Sequence, residues 1–98
     1  MIKKQYLKSR PVCKVTFQLP AEVEAESVVI VGDFNNWQQG VTPMEQLKDG
    51  RFKAIVELQK DSEYQFRYVL NGTQWINEDE ADKFVPNPYA GENSVVAV

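Results

Sequence analysis

Alternation of apolar and polar side chains with a period of two is the feature that most constrains the fold of this chain. Three segments show it, and their apolar members are Cys13, Val15, Phe17 and Leu19; Phe52, Ala54, Val56 and Leu58; and Tyr64, Phe66, Tyr68 and Leu70. Because alternate side chains of an extended backbone point to opposite faces, each segment is predicted to be a strand with one buried face. The β-branched runs 27–31 and 94–98 are predicted as further strands, the first of them central and covered on both faces.

Glycine, asparagine and proline mark the connections between these strands. Asp49-Gly50 and Asn71-Gly72 are typical of hairpin turns, because glycine and asparagine tolerate positive φ. The long segment 77–91 is expected to be irregular, since it contains Pro86-Asn87-Pro88. About seven short strands separated by such turns predict an all-β protein, an immunoglobulin-like antiparallel β-sandwich.

Length and charge narrow the range of functions. The chain has 98 residues, of which 43% are hydrophobic, and this suits one folded domain without a deep catalytic cleft. A net charge of −3 counts against nucleic acid as a partner, since nucleic-acid binding depends on a basic surface. No apolar run approaches the length of a membrane span, and none follows the basic N-terminus as in a signal peptide. We therefore expect a cytoplasmic protein with no membrane partner.

The residue types present give little support to catalytic or metal chemistry. The chain has no histidine, the commonest general base and metal ligand, and its one cysteine, Cys13, falls on the apolar face of a strand. Carboxylates cluster at Glu78, Asp79, Glu80 and Asp82. Such a cluster can supply an acid–base pair or a calcium site, but a solvated loop is favoured because catalysis needs a pair held rigidly across a cleft. We predict no catalytic residue, no metal site and no cofactor.

Two tryptophans follow predicted turns and have side-chain amides beside them. Trp37 ends the run Val31-Gly32-Asp33-Phe34-Asn35-Asn36-Trp37, and Trp75 ends Asn71-Gly72-Thr73-Gln74-Trp75. A flat apolar ring edged with amides suits a sugar, which has C–H faces and hydroxyl rims. Each ring could instead pack on the protein, Trp37 over the end of the sandwich and Trp75 against a cross-strand neighbour.

These motifs resemble the isoamylase N-terminal-type carbohydrate-binding modules. Such modules accompany glycogen branching and debranching enzymes, and the glycogen-binding domain of the AMP-activated protein kinase β subunit belongs to the same group. The similarity begins with Gly32-Asp33-Phe34-Asn35-Asn36-Trp37 and continues through 49–52, 64–68, 71–72, 75 and 86–96. It implies an N-terminal extension, 1–11, followed by an early-set β-sandwich, 12–98, that binds α-1,4-linked glucans.

The resemblance also implies roles for particular residues. Trp37 and Trp75 match tryptophans that stack on glucose rings, and Asn93 matches an asparagine that contacts sugar hydroxyls. Arg67 lies where the family often has a lysine that hydrogen-bonds hydroxyls, although an arginine can form a surface ion pair instead. Tyr89 lies near a leucine that protrudes through the bent oligosaccharide in the kinase-type domains, and packing under its own long loop is the alternative.

Two asparagines beside Trp37 have two possible roles. Asn36 is predicted to contact sugar hydroxyls, but both Asn35 and Asn36 can equally shape the turn by bonding to backbone, and at least one is expected to do so.

The sequence thus predicts non-catalytic binding of glycogen, starch or malto-oligosaccharides by tryptophan stacking and polar contacts. The alternative is a protein-interaction module that docks on an enzyme of glucan metabolism, because tryptophan and arginine are also enriched at protein interfaces.

Overall fold

Two antiparallel sheets pack face to face in the computed structural model, which describes residues 1–88 and 91–98. The strands are β1 Ile2–Tyr6, β2 Val12–Leu19, β3 Val28–Gly32, β4 Glu45–Gln46, β5 Phe52–Gln59, β6 Glu63–Leu70, β7 Gln74–Ile76, β8 Lys83–Pro86 and β9 Glu92–Ala97, and a 3-10 helix spans Asp33–Asn35. The all-β sandwich is confirmed. The described residues form nine strands, more than predicted, because strands as short as β4 and β7 leave no clear periodicity in the sequence.

Strand β6 is the centre of the sheet that carries the candidate site. One sheet has the order β1-β2-β5-β4, and the other has the order β3-β6-β9-β8 with β7 also paired to β6. Strand β3 lies along one edge of β6, while β9 and β7 share the other edge, at residues 63–66 and 68–70 respectively. Asn77 joins these two neighbours, because its Nδ2 donates to the carbonyl of Glu92 at 2.8 Å and its Oδ1 accepts from the Ser94 backbone N at 3.1 Å.

The core lies between the inner faces of the two sheets. Phe17 of β2 meets Phe66 of β6 with ring centroids 5.0 Å apart, and Phe66 meets Tyr68 at 5.8 Å. All three side chains are fully buried, and so is Cys13, a core residue with a free thiol. The alternation in β2 and the inward face of β6 are therefore confirmed.

The N-terminal segment 1–11, expected as an extension of the domain 12–98, contributes strand β1 to the first sheet. Strand β1 pairs with β2 from Ile2–Phe17 to Tyr6–Cys13. The Lys4 ammonium lies 2.8 Å from Asp82 Oδ2, just before β8, and this contact links the edges of the two sheets.

Strand β3 differs from the prediction in its place in the sheet. It was predicted to be central, but it ends the order β3-β6-β9-β8. The segment after the 3-10 helix covers its outer edge, because the Ile30 backbone N donates to the Thr42 carbonyl at 3.0 Å and the Met44 backbone N donates to the Val28 carbonyl at 2.8 Å. Coverage of both faces is confirmed, since Ile30 on the core side and Val31 on the other are both buried. A β-branched run indicates burial but not strand order.

The segment 77–91 is not irregular throughout, which corrects the prediction. Strand β8 pairs with β9 from Lys83–Val95 to Pro86–Glu92. Pro86 is the last residue of a strand at the edge of the sheet, where its missing N–H interrupts no ladder. The proline therefore marks the end of a strand here, not the absence of one.

Candidate functional site

A groove on the outer face of the β3-β6-β9-β8 sheet brings the two tryptophans together. Its floor is the face of β6 opposite Phe66 and Tyr68, and its sides are strand β7 and the segments after β3 and after β8. The groove has a volume of about 610 Å³ and is lined by Asp33, Trp37, Gln65, Arg67, Trp75, Asn87, Pro88 and Asn93.

Arg67 and Trp75 form one unit within this groove. The guanidinium carbon of Arg67 lies 5.8 Å from the centroid of the Trp75 ring, and its Nη2 donates to the Trp75 carbonyl at 3.2 Å. Among the described residues Arg67 has no ion pair, and its Nε is buried without a hydrogen-bond partner. The guanidinium therefore lies over the aromatic ring as a cation–π contact, and the surface ion pair considered above does not form.

Trp75 is partly open to solvent at the start of β7. Its side chain is 39% exposed, and it lies opposite Val69 in the β6–β7 ladder. The preceding turn contains Asn71 and Gly72, with φ of 52° and 75°. These left-handed residues confirm the predicted hairpin, and the short hairpin places the ring beside Arg67.

Trp37 leaves the 3-10 helix in an unusual backbone conformation. Asn36 and Trp37 have φ of 57° and 58°, which is uncommon for non-glycine residues and rarer for a bulky one. The Trp37 backbone N donates to the Gly32 carbonyl at 3.0 Å, and its indole Nε1 donates to Asp33 Oδ1 at 3.1 Å. The turn and Asp33 together direct the ring toward the groove.

The two asparagines before Trp37 have separate positions. Asn35 is buried and shapes the turn, since its Oδ1 accepts from the Gly32 backbone N and its Nδ2 donates to the Ile30 carbonyl and to Thr42 Oγ1, each at 3.0 Å. Asn36 is exposed, ends the 3-10 helix and lies outside the groove lining.

Asn93 extends the polar side of the groove from β9. Its Nδ2 donates to Gln65 Oε1 at 3.0 Å, and its Oδ1 accepts from Asn87 Nδ2 at 3.3 Å. An amide has two N–H donors and two carbonyl lone pairs, and these contacts with described residues use one of each. The side chain is largely buried and belongs to the groove lining.

The structure therefore brings four of the six predicted binding residues to one groove: Trp37, Arg67, Trp75 and Asn93. Asn36 lies outside the lining. The prediction for Tyr89 falls outside the described residues.

Comparison with known proteins identifies the family of this chain. Residues 8–90 match the family model described as carbohydrate-binding module 48 (isoamylase N-terminal domain). The chain belongs to this family. The matched family is a non-catalytic binding module, so this domain is not an enzyme.

A curated relative of the module is the 1,4-alpha-glucan branching enzyme GlgB of Aquifex aeolicus (strain VF5). The two are 33% identical over 75 residues, which cover 74% of this chain. The aligned part is 12% of the relative's length, so the module corresponds to a small part of that protein.

Four residues that line the groove of the module were not predicted as binding residues: Asp33, Gln65, Asn87 and Pro88. Gln65 could have been found, because a period of two places it on the same face of β6 as Arg67. Asp33 could not have been found, because its contact with the Trp37 indole forms only when the turn brings that ring back to it.

The acidic segment, for which a solvated loop was favoured, is exposed at Asp79, Glu80 and Asp82 but not at Glu78. Glu78 is only 2% exposed, and its Oε1 accepts from the Tyr68 hydroxyl at 2.7 Å while its Oε2 accepts from the Glu80 backbone N at 3.0 Å. Burial, together with the Glu78 charge and hydrogen bond, holds the pKa of the Tyr68 hydroxyl far above its usual range. Glu78 thus helps to anchor β6 from the inside of the sandwich.

The described residues also form a groove away from the two tryptophans. A second groove, of about 560 Å³, lies beside Glu78 and is lined partly by Leu19, Val23 and Ile76, with no aromatic residue in its lining. Within residues 1–88 and 91–98, no three acidic or cysteine side chains converge as metal ligands. The same ranges contain no helix long and apolar enough to cross a membrane.

Proposed function

We propose that the module binds α-1,4-linked glucans such as glycogen, starch or malto-oligosaccharides in the groove on the outer face of β6. The observation that carries this proposal is the joint lining of one groove by Trp37, Trp75, Arg67 and Asn93. Two aromatic rings with polar groups between them can stack on successive sugars and bond to their hydroxyl rims.

The family and the relative support this ligand class. The matched family is a carbohydrate-binding module, and the relative's name specifies a 1,4-alpha-glucan as its substrate. The groove is open on one side, so sugar hydroxyls keep part of their hydration when bound. We therefore expect weak binding of short ligands, with Kd of about 10⁻³–10⁻⁵ M, and stronger retention on a polymer that offers many sites.

Titration of maltoheptaose while tryptophan fluorescence is recorded tests this proposal. We expect a saturable change in the wild-type chain and a large loss of affinity in Trp37→Ala and Trp75→Ala. Each removed ring should cost about 1–3 kcal/mol of binding free energy, by analogy with bases stacked on aromatic side chains.

Phe84→Ala is the matched control for these variants. Phe84 is an aromatic residue of the same sheet, 43% exposed, and lies outside the groove lining. Its removal should leave the affinity for maltoheptaose unchanged. A wild-type response that stays flat up to tens of millimolar, with all variants folded, would refute glucan binding in this groove.

The second candidate function is docking on an enzyme of glucan metabolism. It is favoured by the small share of the relative that aligns, since the corresponding part of that protein has other segments beside it. If the module docks on a partner enzyme, Trp75→Ala should fail to capture that enzyme, and excess maltoheptaose should not release it from the wild type. If the groove binds glycogen, Trp75→Ala should fail to retain glycogen, and excess maltoheptaose should displace it from the wild type. This comparison separates a protein contact from a sugar contact.

A further inference from the structure

Asp33 connects the Trp37 side chain to the central strand of the sheet. Its Oδ1 accepts from the Trp37 indole Nε1 at 3.1 Å, and its Oδ2 accepts from the Gln65 backbone N at 2.8 Å. Among the described residues Asp33 forms no ion pair, so both carboxylate oxygens serve these two N–H groups. The carboxylate therefore ties a ring on a turn to the strand that forms the groove floor.

The Trp37 side chain is half-buried, and its hydrogen bond among the described residues is the one to Asp33. The ring pairs found in the described part of the chain do not include it. Its backbone adopts φ of 58°, next to Asn36 at 57°, a conformation that is costly for a large side chain and persists only when the surroundings enforce it. Within residues 1–88 and 91–98, the turn and the side-chain bond to Asp33 thus hold the direction of the indole.

We propose that Asp33 is a positioning residue that holds the Trp37 indole ready for a glucose ring. This inference rests on the proposed function. A ring that is already fixed loses less conformational freedom when a sugar stacks on it, so the free protein is pre-organised for binding. Without the carboxylate, the ordering of this one side chain on binding should weaken affinity by about two- to tenfold.

The first test observes the indole N–H signal of Trp37 in the free protein by nuclear magnetic resonance. The chain has two tryptophans, so a nitrogen–proton correlation spectrum contains two indole N–H signals, assigned by Trp37→Phe and Trp75→Phe. Asp33→Ala should shift and broaden the Trp37 signal and leave the Trp75 signal in place. Asp33→Asn, which keeps one acceptor oxygen and the side-chain size, should give a smaller change and remains usable if the alanine variant does not fold.

The second test asks whether Asp33 acts through the indole N–H. Trp37→Phe keeps an aromatic ring but has no N–H for the carboxylate to accept. Asp33→Ala should therefore raise the Kd for maltoheptaose about two- to tenfold in the wild-type background, and much less in the Trp37→Phe background. An equal rise in both backgrounds would overturn the inference, because Asp33 would then act independently of the indole.

Asp49→Ala is the matched control. Asp49 also lies on a turn and accepts from a backbone N–H, that of Arg51 at 3.1 Å, but it lies outside the groove lining. It should change neither the Trp37 signal nor the Kd. If the wild-type chain binds no glucan, the proposed function fails and the binding part of this inference fails with it. If the wild type binds and Asp33→Ala leaves both the signal and the Kd unaltered, only the role of Asp33 is refuted.

Discussion

Gly32 ends strand β3 at a point where the backbone of β6 passes close by. A Cβ atom at this position would lie 2.5 Å from the Gln65 carbonyl oxygen and 2.8 Å from Phe66 Cβ. Neither the sheet backbone nor a buried phenylalanine can move away easily. We therefore expect Gly32→Ala to lower the free energy of unfolding by about 1–3 kcal/mol, measured by urea denaturation.

Gly40→Ala serves as the control for this substitution. A Cβ at Gly40 would meet no atom within 4 Å, so its unfolding free energy should stay within about 0.5 kcal/mol of the wild type. Similar losses in the two variants would show that close approach to β6 is not the cause.

At the level of single side chains, the sequence predicted well where residue chemistry or periodicity decides the outcome. The period of two placed Arg67 on the face opposite the core, and the Asn71-Gly72 pair predicted the hairpin before Trp75. The burial of Glu78 could not be predicted, because it depends on a Tyr68 hydroxyl that meets it only after the sheet has formed. An isolated acidic run gives no sign that one member has a buried donor.

The edges of the two sheets are held together by a charged contact between strand elements. Asp82, just before β8, accepts from the Ala97 backbone N of β9 at 2.8 Å and from the Lys4 ammonium of β1 at 2.8 Å. Burial by itself would raise the pKa of Asp82, but these two donors outweigh it and hold the pKa below the usual range. The carboxylate is therefore better stabilised in the folded than in the unfolded chain.

This contact should make stability depend on pH in the acid range. A carboxyl whose pKa is lowered by folding adds its full stability above the unfolded value of about 3.9, and loses it as pH falls through the folded pKa. We expect Asp82→Asn to lower the free energy of unfolding by about 0.5–1 kcal/mol at pH 7, since the pair is partly exposed. The difference from the wild type should shrink between pH 5 and pH 2 in urea denaturation curves.

Asp79→Asn is the control for the acid-range experiment, because Asp79 is an exposed carboxylate of the same segment. Its unfolding free energy should follow the wild-type pH profile. A parallel decline of Asp82→Asn and wild type on acidification would contradict a role for Asp82 in joining the strands.

Strands differ in how well the sequence predicts them, for a physical reason. Strands β2, β5 and β6 each have eight residues and an inward face against the core, so their alternation is visible. Strand β8 has four residues, lies at the edge of its sheet and ends in Pro86, and its pairing with β9 is a tertiary contact without a local signal. The order of strands was likewise beyond prediction, as the edge position of β3 shows.

The core of the sandwich contains the buried hydroxyl of Tyr68, and this group should lower the stability of the fold at high pH. Burial first, and the Glu78 carboxylate second, raise the pKa of Tyr68. The folded chain therefore keeps the proton that the unfolded chain releases above its ordinary pKa of about 10. The stability due to this group is complete below that pH and declines as pH rises further.

We accordingly expect Tyr68→Phe to flatten the loss of unfolding free energy between pH 9 and pH 11. At pH 7 the same variant should be less stable by about 1–3 kcal/mol, because Glu78 loses a buried donor. Tyr6→Phe is the control, since Tyr6 is 52% exposed. Identical alkaline slopes for the wild type and Tyr68→Phe would refute the link between this hydroxyl and the stability of the fold.

For the molecule as a whole, the sequence was sufficient to predict the class of fold and the family, because several ordered motifs extend over most of the chain. The cytoplasmic location and the glucan ligand stay predictions. The groove itself could be predicted only as a group of residues, since its shape arises where β9 and β7 pair with β6 before and after Arg67.

Because the groove floor lies on β6, the stability of the sheet and the variability of the groove sides depend on different parts of the chain. Strand β6 is laddered to β3, β7 and β9, so its amides should exchange with solvent hydrogen only when the whole sheet opens. Trp37 and Pro88 at the groove sides lie instead on connecting segments, which tolerate change more readily. A library that randomises these segments while β6 stays constant should therefore change what the groove binds and leave the scaffold stable, as loop diversification does in antibody domains.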